Sequence, residues 1–271
     1  LIQISLIVES IVVISILVFL SVRFRVLDWK GSITAAIIGL IIYLTIGRTG
    51  ILVLSTFMFI SGLATRFGYQ YKKSIGVIES KTGIRGWRNV VGNGLIAAII
   101  GVLSVCYLEQ SEMLLAGFIG SVSAVFADTL ATEIGLLYKG QTRLIIGFKK
   151  TSPGTPGGVT TYGYAGALSS SLFLIIVLTP FLINSKSLAL WKLALIIIGS
   201  GVGGTTIDSI VGQLLQATYR CIRCGVVTEY PTHCDTRCEK IKGLSYFNNH
   251  VVNIVCSASG VLFAIALYEL V

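Results

Sequence analysis

The 271-residue chain is 54 % hydrophobic and only 12 % charged, with a mean hydropathy of +0.86 and a formal net charge of +9. A soluble domain carries about twice that share of charged residues, which excludes a soluble fold and predicts an all-α, polytopic helical membrane protein. The basic residues follow the loops between apolar runs, so the positive-inside rule accounts for the charge and no nucleic-acid partner is called for.

Apolar runs fall at about residues 3–20, 31–46, 50–64, 94–107, 113–128, 163–182, 188–204 and 250–268. They predict about eight helices crossing a roughly 30 Å hydrocarbon core, within a single integral membrane domain spanning 1–271. No basic n-region precedes the first run and no small-residue cleavage pattern follows it, so a retained span is expected. Glu9 interrupts that run, as an outer helix end or as a carboxylate facing protein. GRTG between the second and third runs is short enough for a tight helical hairpin, and a further turn, NSKS, follows residue 182.

The alternate loops 21–30, 65–93, 128–162 and 205–249 hold 18 of the 21 Lys and Arg residues; only Arg48, Lys186 and Lys192 fall on the other side. Both termini are therefore expected outside a cell membrane, with the long polar loops in the cytoplasm. The 65–93 loop carries six basic residues, Lys81 among them, against one acid, Glu79.

The chemistry concentrates after the fifth run. In FADTLATEIG, Asp128 and Thr132 share one helix face, and Thr129 and Glu133 the neighbouring one. The two carboxylates are roughly 140° apart around the axis, so they need a bend or different roles. Asp128 and Glu133 are read as catalytic or metal-binding acids, or as a plain acidic helix end. The following SPGTPGG turn offers Gly154, Thr155, Gly157 and Gly158 to phosphate oxygens, or serves simply as a turn. It fits neither a Walker loop nor a dinucleotide fingerprint. Nearby Arg143 and Lys149 favour phosphate. A second stretch, GSGVGGTTIDSIVGQLLQATY, brings Asp208 and Gln213; Asp208 and Asp128 could face one Mg²⁺. In FNNHVVN, Asn248, Asn249 and Asn253 cap a helix or bind substrate.

Four of the six cysteines, Cys221, Cys224, Cys234 and Cys238, form a CxxC…CxxxC arrangement with His233 beside Cys234 as a substitute ligand. Structural zinc is the expected use; disulfides and free thiols are the alternatives, and a cytoplasmic loop disfavours the former.

The ordered set FADTLATEIG, TSPGTPGGVTTYG, GSGVGGTTIDSIVGQLLQATY and FNNHVVN resembles the transmembrane-protein-19-like integral membrane family, whose plant members include phytyl-phosphate kinase. The resemblance runs from about residue 30 to the end. It implies phosphorylation of a prenyl monophosphate, or another lipid phosphate, by a nucleoside triphosphate such as CTP or ATP with Mg²⁺, among membrane lipids. On that reading Asp128, Glu133 and Asp208 are the acids of the site. Thr129, Thr132, the 154–158 glycines with Thr155, Arg143, Lys149, Gln213 and the three asparagines are its substrate-binding side chains and loop. A lipid or small-molecule transporter and a cytidylyltransferase acting on a lipid phosphate are the competing functions. The four-cysteine loop is not expected of the plant enzyme.

Overall fold

The computed structural model describes residues 4–75, 83–182, 189–225 and 227–270. Glu79, Lys81 and the NSKS turn with Lys186 lie outside them. Nine α-helices carry the architecture among the described residues: α1 (Ile4–Arg23), α2 (Trp29–Thr45), α3 (Arg48–Arg66), α4 (Tyr69–Ser74), α5 (Trp87–Cys106), α6 (Ser111–Gly135), α7 (Thr161–Leu182), α8 (Leu190–Leu215) and α9 (Asn249–Leu270). The chain is a multi-pass membrane protein. Seven of these helices are long and apolar enough to cross a bilayer by length and composition. The eighth expected span, α2, is apolar but has only 17 residues, about 26 Å at 1.5 Å per residue.

Two small sheets complete the fold. Strands β1 (Thr142–Leu144), β2 (Lys150–Thr151) and β3 (Gly158–Val159) form one, in the order β2-β1-β3. Strands β4 (Thr218–Cys221), β5 (Val227–Thr228), β6 (Thr232–His233) and β7 (Thr236–Lys242) form the other, in the order β5-β4-β7-β6. All the pairings are antiparallel. Both sheets lie in segments expected to be loops. The helices also run past the apolar stretches, α6 to Gly135 and α8 to Leu215.

The centre is α6, which packs against α3, α5, α7, α8 and α9 and buries Phe118, Ile119, Val122 and Phe126. Lipid offers no hydrophobic gain for helix association, so close packing of small residues and interhelical hydrogen bonds must hold the bundle. Both are present. A Cβ on Gly120 would come within 2.5 Å of the Gly260 carbonyl oxygen and 2.9 Å of Ser200 Oγ. Beside this contact, the Ser121 and Ser257 hydroxyls meet at 2.7 Å, joining α6 to α9.

The polar ends of the helices gather at one pole. Leu27, after α1, bridges to Arg85, before α5; Arg66 of α3 donates to the Arg25 carbonyl. Gly68, in the left-handed region at φ 66°, lets α4 fold back so that Lys72 reaches α6. Toward the opposite pole Glu9 is fully partnered, accepting from Arg48 Nε at 2.7 Å, Arg48 Nη2 at 2.9 Å and Tyr43 Oη at 2.7 Å. Glu9 thus lies near the N-terminal end of α1, the expected outer end, partly exposed, and is held by protein partners there.

Gly120→Val forces α6 away from α9 and α8. It is expected to cost about 1–3 kcal/mol by overpacking, read as a lowered thermal midpoint of the detergent-solubilised protein.

Candidate functional site

At this pole α6, α7, α8, α9 and the 153–160 loop enclose a cleft of ≈ 190 Å³. Asp128, Thr132 and Gly135 face it from α6, which is the i, i+4, i+7 face of one helix. Asp208 and Thr205 face it from α8, and Asn249 from the start of α9. The 154–158 loop closes one side. Thr205 Oγ1 donates to Asp128 Oδ1 at 3.1 Å. Asp208 Oδ2 is buried and makes no hydrogen bond among the described residues.

The glycine loop is held from both flanks. Gln213 of α8 clamps Ile146, accepting from its N–H at 2.8 Å and donating to its carbonyl at 3.1 Å. The Ile145 N–H then donates to the Gly157 carbonyl at 2.9 Å. Gly157 has φ +79°, and a Cβ there would sit 2.8 Å from the Ser209 carbonyl, so only glycine lets the loop lie this close to α8. Thr155 and Gly158 spend their N–H groups inside the loop. Thr160 Oγ1 accepts from the Gly163 N–H at 2.9 Å and caps α7.

The cleft is acidic. Asp128, Asp208 and Glu229 line it, and no Lys, Arg or His does among the described residues. Glu229 comes from the second sheet and accepts from Gln216 Nε2 at 2.9 Å. Carboxylates lining one cleft, with Asp208 Oδ2 orphaned, are a donor set suited to a hard divalent cation such as Mg²⁺. Asp128 and Asp208 would hold it.

A second, larger cleft of ≈ 370 Å³ adjoins the first, and Thr132 and Leu136 line both. Glu133 lies here. Lys72 Nζ donates to Glu133 Oε2 at 2.6 Å, Thr65 Oγ1 donates to Oε1 at 2.6 Å, and Arg85 Nη2 stands 4.0 Å from Oε1. Lys72 is only 2 % exposed, so both charges of this pair are largely withdrawn from water.

The cysteine module follows α8. Cys221, Cys224, His233 and Cys234 bring their ligand atoms within 4.8 Å of one another. Cys234 Sγ lies 3.7 Å from Cys224 Sγ, and His233 Nδ1 lies 3.4 Å and 3.2 Å from those two sulfurs. Tetrahedral zinc, with Zn–S of about 2.3 Å and Zn–N of about 2.0 Å, sets ligand edges of roughly 3.5–3.8 Å. The cluster fits such an ion with modest expansion. Cys234 and Asp235 both adopt left-handed backbone, at φ 51° and 57°, which turns His233 and Cys234 inward together. The Cys224 N–H holds the Cys221 thiol down at about 6, aided by the His233 ring. Cys234 is pushed up to about 11, chiefly by its contact with Cys224. Thiols this crowded ionise together only around a cation. Cys238, the expected fourth ligand, pairs across the ladder with Cys221 and is outside the four-atom group, where His233 stands instead.

The description "Integral membrane protein DUF92" matches residues 12–261. The chain belongs to that family. Among family relatives it is similar to an uncharacterized membrane protein of Methanocaldococcus jannaschii, 31 % identical over 76 % of this chain and 82 % of that one. It is similar to Protein PGR of Arabidopsis thaliana, 31 % identical over 91 % of this chain and 90 % of that one. It is also similar to chloroplastic Protein VTE6 of the same plant, 27 % identical over 90 % of this chain and 66 % of that one. No solved structure matches it.

In this DUF92 protein the fold unites Asp128, Thr132, Gly154, Thr155, Gly157, Gly158, Asp208 and Asn249 around one cleft. Other residues picked out in the sequence stand apart from its walls. Glu133 faces the neighbouring cleft, and Thr129 lines neither. Gln213 holds the loop. Asn248 Oδ1 caps α9, accepting from the His250 and Val251 N–H groups. Asn253 donates to Asn93 Oδ1 at 3.1 Å and ties α9 to α5. Arg143 and Lys149 are exposed, and Arg143 donates to the Phe148 carbonyl. Lys72, Arg85, Asn93, Gln216 and Glu229 were not picked out. Lys72 and Arg85 read as ordinary positive-inside residues, and no spacing rule links Glu229 to an aspartate a hundred residues earlier.

Two measurements follow from these geometries. Purified protein should hold about one zinc per chain by elemental analysis; Cys224→Ser and His233→Ala should each lose it, whereas Cys238→Ser keeps it. Lys72→Met leaves the largely buried Glu133 with only the 4.0 Å Arg85 contact and the Thr65 hydrogen bond among the described residues and should destabilise by about 2–4 kcal/mol. Adding Glu133→Gln should recover much of that loss in thermal unfolding.

Proposed function

We propose that this protein acts on lipid phosphates, transferring a phosphoryl group from a nucleoside triphosphate to a prenyl monophosphate at the cytoplasmic face of the membrane. The observation that carries the reading is the convergence of Asp128 and Asp208, from two separate helices, with the glycine loop in one cleft at the polar pole of an apolar bundle. A lipid whose chain stays in the bilayer presents its head at that level. The similarity to chloroplastic Protein VTE6 and the likeness of the motifs to the plant kinase support a lipid-phosphate substrate. The 18 basic residues on one set of loops support the cytoplasmic orientation.

Each residue has a role on this reading. Because no cationic side chain lines the cleft among the described residues, a polyphosphate would enter it together with a cation held by Asp128 and Asp208. Asp128 and Asp208 would hold Mg²⁺, which when bound would supply neutralisation of phosphate charge. Thr205 fixes the orientation of Asp128 through its 3.1 Å hydrogen bond. Gly154 and Gly157, whose N–H groups make no hydrogen bond among the described residues, are available to phosphate oxygens from the loop. Asn249 adds an amide on the opposite wall. Gln213 keeps the loop pressed on α8, and so acts as a positioning residue. A phosphate monoester is already anionic near neutral pH, so the acceptor oxygen needs no strong base, and catalysis is mainly positioning and charge stabilisation.

Purified protein supplied with Mg²⁺, farnesyl or geranylgeranyl monophosphate and CTP or ATP should yield the prenyl diphosphate and nucleoside diphosphate. Asp128→Asn and Asp208→Asn should each lower turnover by a factor on the order of 10² or more, roughly 2.7 kcal/mol of transition-state stabilisation. Full turnover in both variants overturns the site. Pyrophosphate release with a nucleotide-linked lipid replaces kinase by cytidylyl transfer. Substrate movement across sealed vesicles without turnover puts a transporter first.

A further inference from the structure

A narrow apolar groove of ≈ 70 Å³ runs between α1, α2, α3 and α5. Its walls include Leu17 and Val18 of α1, Ile38 of α2, and Leu54, Phe57 and Met58 of α3. From Ile51 to Met58 it follows α3 for about 10 Å. Its polar-pole end is not apolar: Arg85, Asn89 and Asn93 line it there. Arg85 and Asn89 also line the cleft that holds Lys72 and Glu133. The groove and that cleft therefore meet at Arg85.

Arg85 is built into this junction. Its N–H donates to the Val26 carbonyl at 3.1 Å and its own carbonyl accepts from Asp28 at 3.0 Å, which pins its backbone to the α1–α2 turn. The side chain is 9 % exposed. Nη2 donates to Thr65 Oγ1 at 3.0 Å, while Nε is buried with no hydrogen-bond partner among the described residues. A buried guanidinium edge without an acceptor is costly, and Arg85 lines both the apolar groove and the cationic cleft. That cleft sets Lys72, Arg85 and Arg88 against Asp28 and Glu133, an excess of one cation. Asp28 is further engaged as the cap of α2, accepting from the Gly31 N–H at 2.6 Å.

We propose that this junction seats a single-chain lipid monophosphate: the head-proximal part of its chain lies in the α1–α2–α3–α5 groove and its phosphate on Arg85, on the Lys72 and Arg88 side. The groove takes only a short length of chain, so the remainder lies among bilayer lipids beside α1. Apolar walls ending on a buried cation select an amphiphile over inorganic phosphate or a nucleotide. The proposal deepens the kinase reading and rests on it for the direction of transfer. The two clefts adjoin at Thr132 and Leu136, which line both, so the seated phosphate would lie beside the Asp128–Asp208 cleft that takes the donor.

The test is direct binding of farnesyl monophosphate to the full chain in phosphatidylcholine nanodiscs, with no nucleotide or Mg²⁺. Wild type should bind it at least 10-fold more tightly than farnesol or inorganic phosphate. Arg85→Gln should lose at least 10-fold, with partial recovery in Arg85→Lys. Ala35→Phe, which fills the groove, should weaken farnesyl monophosphate in proportion to chain length and leave inorganic phosphate unchanged. Asp128→Asn should bind the lipid as wild type does. Should Arg85→Gln not fold, Arg85→Lys and Ala35→Phe decide the matter. Wild-type affinity in folded Arg85→Gln and Ala35→Phe, or equal affinity for phosphate alone, overturns the seat. Kinase turnover with an unchanged lipid KM in Arg85→Gln removes the seat and keeps the kinase. The binding pattern without turnover keeps the seat and removes the kinase.

Discussion

A carboxylate at the end of an apolar helix bundle must be neutralised, and the rest of this structure is arranged around how that is done. Glu133 is neutralised within the protein, by Lys72 at 2.6 Å and by hydrogen bonding to Thr65. Asp128 and Asp208 have no basic side chain in their cleft among the described residues. Since desolvated charge of one sign is costly, the two clefts are complementary: one is internally compensated with cationic excess, the other is lined by carboxylates. One turn of α6 separates them, because Asp128 and Glu133 leave the helix on different faces.

Holding those faces in place requires α6 to touch five other helices. In lipid this is achieved by small residues. Gly120 lets α6 meet α9 at backbone contact, and the buried Ser121–Ser257 hydrogen bond fixes that contact. The same closeness sets how α8 presents Asp208 opposite Asp128. The packing chemistry of the membrane interior thus reaches the polar pole as geometry.

The cysteine module extends this logic outside the bilayer. It joins α8 to α9, and its strands deliver Glu229 to the acidic cleft and Tyr230 to the cationic one. A short four-stranded sheet with little apolar core gains order from a bound metal. Zinc on Cys221, Cys224, His233 and Cys234 would therefore stiffen part of the wall of both clefts without entering either.

Composition and periodicity alone determined the helical membrane class, nearly all the helix positions and the residues worth inspecting, because apolar length is a local property of the chain. Local chemistry also made Asp128, Asp208 and the SPGTPGG turn stand out, since acids and glycine turns beside apolar runs are rare. Partners were decided only by the tertiary structure. The helical angle between Asp128 and Glu133 required a bend or different roles, but the choice of Lys72 for Glu133 depends on α4 folding back through Gly68. The spacing of the cysteines suggested a metal, yet the left-handed turn at Cys234 and Asp235 brought His233 into the cluster while Cys238 stayed on the ladder. Gln213 reads as a ligand in one dimension and the asparagines as caps or ligands; in three, Gln213 holds the loop, Asn248 caps α9 and Asn253 ties α9 to α5. Hydrogen-bond partners hundreds of ångströms apart in an extended chain are set by packing, and packing leaves no periodic trace in the sequence.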